Sequence, residues 1–176
     1  MSSRDALRAF QARLASRLQD AQTQGATAAW LGVEAAGDRF LIPLNHAGEI
    51  FPEVPIQVVP HARPWFLGVA NLRGGVFGVV DLVGFLRQQP PRPRAEGAQA
   101  TGRFVAFNEV LGVNCALQID RLAGLRHVDA FGSSEAPGPD APAYLGHRYV
   151  DAAGAAWQEI NLQALSTDPG FLHIGV

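Results

Sequence analysis

Two hydrophobic periods divide the chain. Leu7, Phe10, Leu14 and Leu18 are spaced three, four and four apart, which lays them along one stripe of a helix over residues 3–22. Ser2 or Ser3 caps its start, and Gly25 lies just past its end. Arg4, Arg8, Arg13 and Arg17 fall off the stripe and face water. The stripe either docks on its own domain, the plainer reading, or receives a partner helix. Residues 1–24 are therefore expected to form an N-terminal helix ahead of a domain over residues 25–172.

Beyond Gly25 the period shortens to two, and Gly, Pro, Asn and Asp separate short apolar runs. Residues 30–35 and 39–44 flank Gly37-Asp38, which suits a tight hairpin. Residues 56–59 form a short extended piece between prolines. Residues 76–82 are almost wholly apolar apart from Asp81, as in a buried strand. A second hairpin is predicted from 104–107 and 113–119. In its second arm Val113, Cys115, Leu117 and Ile119 alternate with Asn114, Ala116, Gln118 and Asp120, a half-buried pattern. Residues 148–152 and 155–162 make a last pair around Gly154. Prolines place 87–102 and 132–142 in loops. Many short strands with frequent turns predict a mainly β protein of closed or partly closed barrels.

Composition narrows the function classes. The 176 residues, 48% of them hydrophobic, suit one domain or two small lobes sharing a core. All fourteen basic residues are arginine. The absence of lysine removes a phosphate-loop lysine, a Schiff-base lysine and a lysine general base. A net charge of −2 lacks the basic excess expected of a duplex nucleic-acid binder. One cysteine cannot form an internal disulfide, which is compatible with a reducing compartment. The longest stretch without charge, residues 21–33, is too short and too polar to span a bilayer, and no apolar secretion signal follows the N-terminus. The expectation is a cytoplasmic protein with no direct membrane insertion.

Candidate chemistry is sparse. His46, His61, His127, His147 and His173 show no spacing that pairs two ligands on one strand or helix face, so no metal site is expected. Cys115 is either a nucleophile or, from its alternation with apolar neighbours, a core thiol. Asp81 and Asp120 either pair as acid and base or, each ending an apolar strand, accept backbone N–H groups at turns. Asn71-Leu72-Arg73-Gly74-Gly75 lacks the spacing of a phosphate cradle. Arg87, Arg92 and Arg94 either touch an acidic partner or sit in a solvated loop. No catalytic residue and no cofactor is expected.

The stretch Gly68-Val69-Ala70-Asn71-Leu72-Arg73-Gly74, followed by the apolar run ending in Asp81-Leu82, resembles the signature of the CheW-like family of chemotaxis coupling proteins. Other pieces fit in order: residues 39–44 with Glu49-Ile50, then Pro60 and Trp65, then residues 117–122, and finally Tyr144-Leu145-Gly146 with residues 159–162. Together they cover residues 28–166. The N-terminal helix and the ending with Pro169-Gly170-Phe171-Leu172 look most similar to adaptors of the type IV pilus, or twitching-motility, branch.

That resemblance implies two packed SH3-like five-stranded β-barrels and no enzymatic activity. It implies a scaffold that couples chemoreceptor cytoplasmic tips to the regulatory domain of a CheA-type histidine kinase in membrane-associated arrays. It places Asn71, Leu72, Arg73, Gly74, Glu49 and Ala47 at the receptor contact and marks no kinase-facing residue. Arg73 either clamps a partner or ties the two barrels together; Glu49 either faces the receptor or is a solvated acid. A groove between the barrels would suit a helical receptor tip. Gly78 replaces a common proline, Ala116 replaces a common glycine, and Gly48 stands where bulkier residues are usual. The alternative from another class is a small β-barrel that binds nucleic acid, and a third is a Cys115-dependent hydrolase.

Overall fold

Ala36 and Gly37 both adopt left-handed backbone, with φ of 50° and 85°. Two such residues make the mirror-image turn that matches strand twist. The predicted first hairpin therefore forms, from β1 (Ala29–Ala35) to β2 (Asp38–Pro43). The structure is a computed structural model that describes residues 29–91, 93 and 102–176. The helix predicted over residues 3–22 lies outside the described residues.

The chain continues through β3 (Ala47–Pro52), β4 (Phe66–Leu72), β5 (Gly75–Val80) and the short helix α1 (Leu82–Arg87). It then forms β6 (Arg103–Phe107), β7 (Cys115–Ile119), β8 (Arg121–His127) and β9 (Phe131–Glu135). The last elements are β10 (Leu145–Asp151), β11 (Ala156–Ile160), α2 (Leu162–Leu165) and α3 (Pro169–Leu172). Two sheets result, ordered β8-β1-β2-β11-β10-β9 and β3-β6-β7-β5-β4. The second has the five strands expected; the first has six. Its sixth, β9, takes in Gly132 to Glu135 from the loop predicted over 132–142, whose prolines are at 137, 139 and 142. Those prolines follow the strand and do not interrupt it, and β9 is a sheet edge.

Alternate side chains enter different interiors. In β6, Val105 and Phe107 enter a large core between the sheets, whereas Phe104 and Ala106 enter a smaller one. Cys115, Leu117 and Ile119 of β7 likewise face the large core, and Ala116 the small one. In the other sheet Leu31, Val33, Phe40 and Ile42 face the large core; Trp30, Leu41 and Trp157 fill a third. Ala116 is 0% exposed, so β7 is buried on both faces and not half-buried as its alternation suggested. A two-faced strand has no polar side to advertise.

Each sheet is closed into a barrel by a different device. Gln57, in the connection from β3 to β4, exchanges two backbone hydrogen bonds with Val69, at 2.8 and 2.9 Å. This ties the segment following edge strand β3 onto edge strand β4. The other sheet's edges, β8 and β9, are consecutive in the chain, joined through a 3-10 turn at Val128–Ala130. The C-terminus then binds the two units together. Phe171 stacks between Trp65 at 5.7 Å and Phe107 at 5.9 Å, and the Arg63 N–H donates to the Ile174 carbonyl at 2.7 Å.

Asp81 and Asp120 hold turns. Asp81 accepts from the Gly84 N–H at 3.0 Å and caps α1. Asp120 accepts from the Ala36 N–H at 2.8 Å and pins the end of β7 to the first hairpin turn. Both carboxylates accept backbone N–H groups at turns, as the turn reading expects.

Gly68 is the residue on which closure of the second barrel depends. Its φ is +138°, and a Cβ there would stand 2.2 Å from the Gln57 carbonyl oxygen. Gly68→Ala is expected to lower the unfolding free energy by about 2–4 kcal/mol in urea titration. Gly74→Ala, where φ is +80° but no atom lies within 4 Å, is expected to cost about 1 kcal/mol. Equal losses at the two positions would refute the closure role.

Candidate docking surfaces

The β4–β5 turn gathers the signature residues. Asn71 Oδ1 accepts from the Gly74 N–H at 2.9 Å. Arg73 and Gly74 take left-handed φ of 51° and 80°, so Leu72 and Gly75 face each other across a two-residue loop. Arg73 is thereby projected out of the hairpin, with 76% of its side chain exposed. Its Nη2 meets Glu49 Oε1 at 2.7 Å, and its guanidinium lies 5.9 Å from the centroid of the Phe51 ring. Glu49 and Phe51 belong to β3, at the opposite end of the sheet order from β4. Arg73 therefore clamps the two edges of one barrel and not one barrel to the other. An ion pair this exposed contributes at most about 1 kcal/mol.

The six residues implied at the receptor contact separate by depth. Asn71, Arg73, Gly74 and Glu49 are exposed at one end of this barrel. Leu72 is 3% exposed and packs in the small core. Ala47 is half-buried, opposite Phe107, and packs on the large core.

An apolar groove extends along the same hairpin. Val69 pairs with Gly78 and Asn71 with Val76, so these four share the face turned away from the small core that holds Ala70, Leu72 and Val79. Next to Val69 and Gly78 is an open groove of about 250 Å³, walled by Trp65, Phe66, Val113, Leu172 and Ile174. A Cβ on Gly78 would stand 2.8 Å from the Phe66 ring, so glycine is needed there for the ring's placement. The Trp65 indole Nε1 is buried beside this groove without a hydrogen-bond partner. Space directly between the sheets is filled by the large core; the open groove lies to one side of it, against the C-terminal segment. Val113, Leu172 and Ile174 were not identified as groove residues from sequence. Their only local signal is apolar character near loops.

Cys115 also borders the groove. It is 3% exposed, and burial pushes its thiol up to about 12. A thiol with that affinity for its proton supplies almost no thiolate at neutral pH, which removes the hydrolase reading. His46 is buried, and burial holds its pKa below the ordinary imidazole value. Among the described residues no three His, Cys, Asp or Glu side chains gather as metal ligands.

Two packed barrels thus carry a projecting guanidinium–carboxylate pair at the β4–β5 turn and an apolar groove along the outward face of the same hairpin. A family model for the CheW-like domain matches residues 29–167. Protein PilI of Pseudomonas aeruginosa is 30% identical over 166 residues, covering 93% of this chain and 89% of that protein. A probable chemotaxis protein CheW of Rhizobium etli is 37% identical over 60 residues, 34% of this chain and 39% of that protein. The crystal structure of scaffolding protein TtCheW from Thermoanaerobacter tengcongensis shares the fold, with a TM-score of 0.65 at 20% identity over 82% of this chain and 95% of that one. The chain belongs to the CheW-like family, whose members are non-enzymatic scaffolds.

Leu72→Ala is expected to cost about 2–4 kcal/mol in urea titration, as a core truncation. Arg73→Ala is expected to change stability by less than about 1 kcal/mol. Cys115 is expected to resist iodoacetamide at pH 8 in the native protein and to react once urea unfolds it, read by intact mass; rapid native alkylation would contradict the assigned burial.

Proposed function

We propose that this protein is the scaffold that couples chemoreceptor cytoplasmic tips to the regulatory domain of a CheA-type histidine kinase, in an array controlling type IV pilus twitching motility. The pilus assignment is supported by the similarity to PilI over 93% of the chain. One structural observation carries the receptor half of the reading: the β4–β5 hairpin presents an exposed Arg73–Glu49 pair and an adjoining apolar groove.

A receptor tip is a helical hairpin. An amphipathic helix docks by inserting a few apolar side chains into a groove while polar residues pair at the rim. Val69, Val113, Leu172 and Ile174 supply the apolar wall. Arg73 keeps donors beyond the one that meets Glu49 and can take a carboxylate or carbonyl oxygens of the receptor. No helix among the described residues is long and apolar enough to cross a membrane, so recruitment to the array runs through protein contacts in this proposal.

The nucleic-acid reading needs aromatic side chains on an open sheet face as stacking platforms. Trp30, Trp65 and Trp157 are buried, and the large hydrophobic side chains that are exposed among the described residues are aliphatic. That arrangement favours protein docking.

Isothermal titration against a CheA-type regulatory domain is expected to give a complex. Its absence at roughly 100 μM, where even a weak complex would be half formed, would end the scaffold reading. Arg73→Ala and Ile174→Glu are each expected to reduce co-sedimentation with receptor arrays by about tenfold or more while thermal unfolding shows a folded protein. Unchanged co-sedimentation of both variants would refute the hairpin as the receptor surface.

A further inference from the structure

We propose that the amphipathic segment 3–22 folds back on its own domain, laying its Leu7-Phe10-Leu14-Leu18 stripe over an exposed aliphatic strip where β1 begins. The segment lies outside the described residues, and its stripe is read from the sequence.

The strip continues the large core outward. Leu125, Leu31 and Ile42 are partners in register across β8, β1 and β2, so they share one face of the six-stranded sheet. Leu31 and Ile42 are buried in the large core, whereas Leu125, on the edge strand, is 61% exposed. Leu44 stands two positions beyond Ile42, in the turn that leaves β2, and is also exposed. The Asn108 N–H donates to the His46 carbonyl at 2.9 Å. This bond brings the β6–β7 turn, where Val110 is 78% exposed, against the turn that holds Leu44. None of these three aliphatic side chains borders the apolar groove beside Trp65.

The place where the chain enters the domain identifies the occupant. Ala29 pairs with His127 of β8, and Trp30 with Pro43 of β2. Residues 1–28 therefore join the domain between Leu125 and Leu44. Residues 23–28 separate the predicted helix from Ala29, a tether of at most about 20 Å. A helix rises about 17 Å from Leu7 to Leu18. Two strand spacings, about 10 Å, separate β8 from β2, so the stripe can cover Leu125 and Leu44 and reach Val110. A short tether also gives the segment a local concentration that a free partner helix lacks.

Charge agrees. Residues 1–24 hold four arginines against two aspartates, while the whole chain is at −2, so the rest of it is acidic. Glu109 beside Val110 and Asp129 beside Val128 are exposed at the rim of the strip. Docking there would also cover the edge strand β8, which would otherwise present unpaired backbone.

The test is limited trypsin digestion of the full chain, with release of the N-terminal peptides after Arg8, Arg13 and Arg17 followed by mass. Release is expected to be slow relative to a synthetic peptide of residues 1–28, because cleavage tracks the undocked population. Leu125→Glu and Val110→Glu are each expected to speed release roughly tenfold, the loss of about one buried aliphatic contact, while thermal unfolding shows a folded protein. Val58→Glu, the same kind of change at an exposed valine outside the strip, is expected to leave release unchanged. Release from the wild-type chain as fast as from the peptide would overturn the docking. So would unchanged release in both strip variants, or equal speeding in all three variants. Release that slows as the protein is concentrated would put the stripe on a second copy and overturn docking within one chain. Neither receptor nor kinase enters the measurement, so its failure would leave the coupling reading standing.

Discussion

In β1, β2, β6 and β7 neighbouring side chains point into different apolar interiors, and this double burial is the constraint on which the remaining structure depends. Trp30 and Leu31 serve separate cores, as do Leu41 and Ile42, and Phe104 and Val105. A register slip of one residue would exchange the two sets. Phe104 and Phe107 would leave their cores, and the small positions Ala106 and Ala116 would take the places of larger residues. Two barrels that share a filled layer in this way have a single register that satisfies three cores at once.

That layer also determines what remains for partners. The faces turned toward it are occupied, so docking is left to outer faces and turns. The β4–β5 hairpin has one such open face. One of its faces fills the small core with Ala70, Leu72 and Val79; the other presents Val69, Asn71 and Val76 outward. A signature of four consecutive residues thus divides its labour, with Leu72 holding the hairpin down while Arg73 projects from it. The C-terminal segment contributes twice over. Phe171 enters the aromatic stack with Trp65, Phe85 and Phe107, while Leu172 and Ile174 wall the groove. Core packing and the groove wall therefore draw on the same C-terminal segment.

Arginine is the only permanently cationic side chain in this sequence, and its placements separate by partner. Arg121 is held by both oxygens of Glu34, Arg126 lies 4.9 Å from the Trp157 ring centroid, and Arg73 spans two edges of a barrel. Arg148 lines an open pocket with Ala156 and Gln158. The guanidinium stays charged in each setting, so internal carboxylates and rings decide which of these groups remain available to a second protein.

Much of the fold was legible in residues close together in sequence. Gly37 marks the first turn, and Asp81 and Asp120 the turns they cap, because each depends on neighbours a few positions away; the apolar run over 76–82 marks a strand, but one buried only at Val79 and Val80, with Val76 exposed and Leu82 already in a helix. The Asn71-Leu72-Arg73-Gly74 signature identified the family for the same reason. Legibility failed where a side chain's role depends on a distant segment. Ala116 looked like the idle face of a strand until the small core covered it, and β9 looked like part of a proline-rich loop until β10 supplied its hydrogen bonds. Gly68 and Gly78 are matters of space, set by the Gln57 carbonyl and the Phe66 ring, neither of which is near in sequence. Strand periodicity, turn chemistry and family membership were therefore determined by sequence alone. Which faces stay open, which arginines stay unpaired, and that residues 171–174 return against Trp65 across more than a hundred positions were decided by tertiary packing, since contacts at that separation leave no periodic trace in the chain.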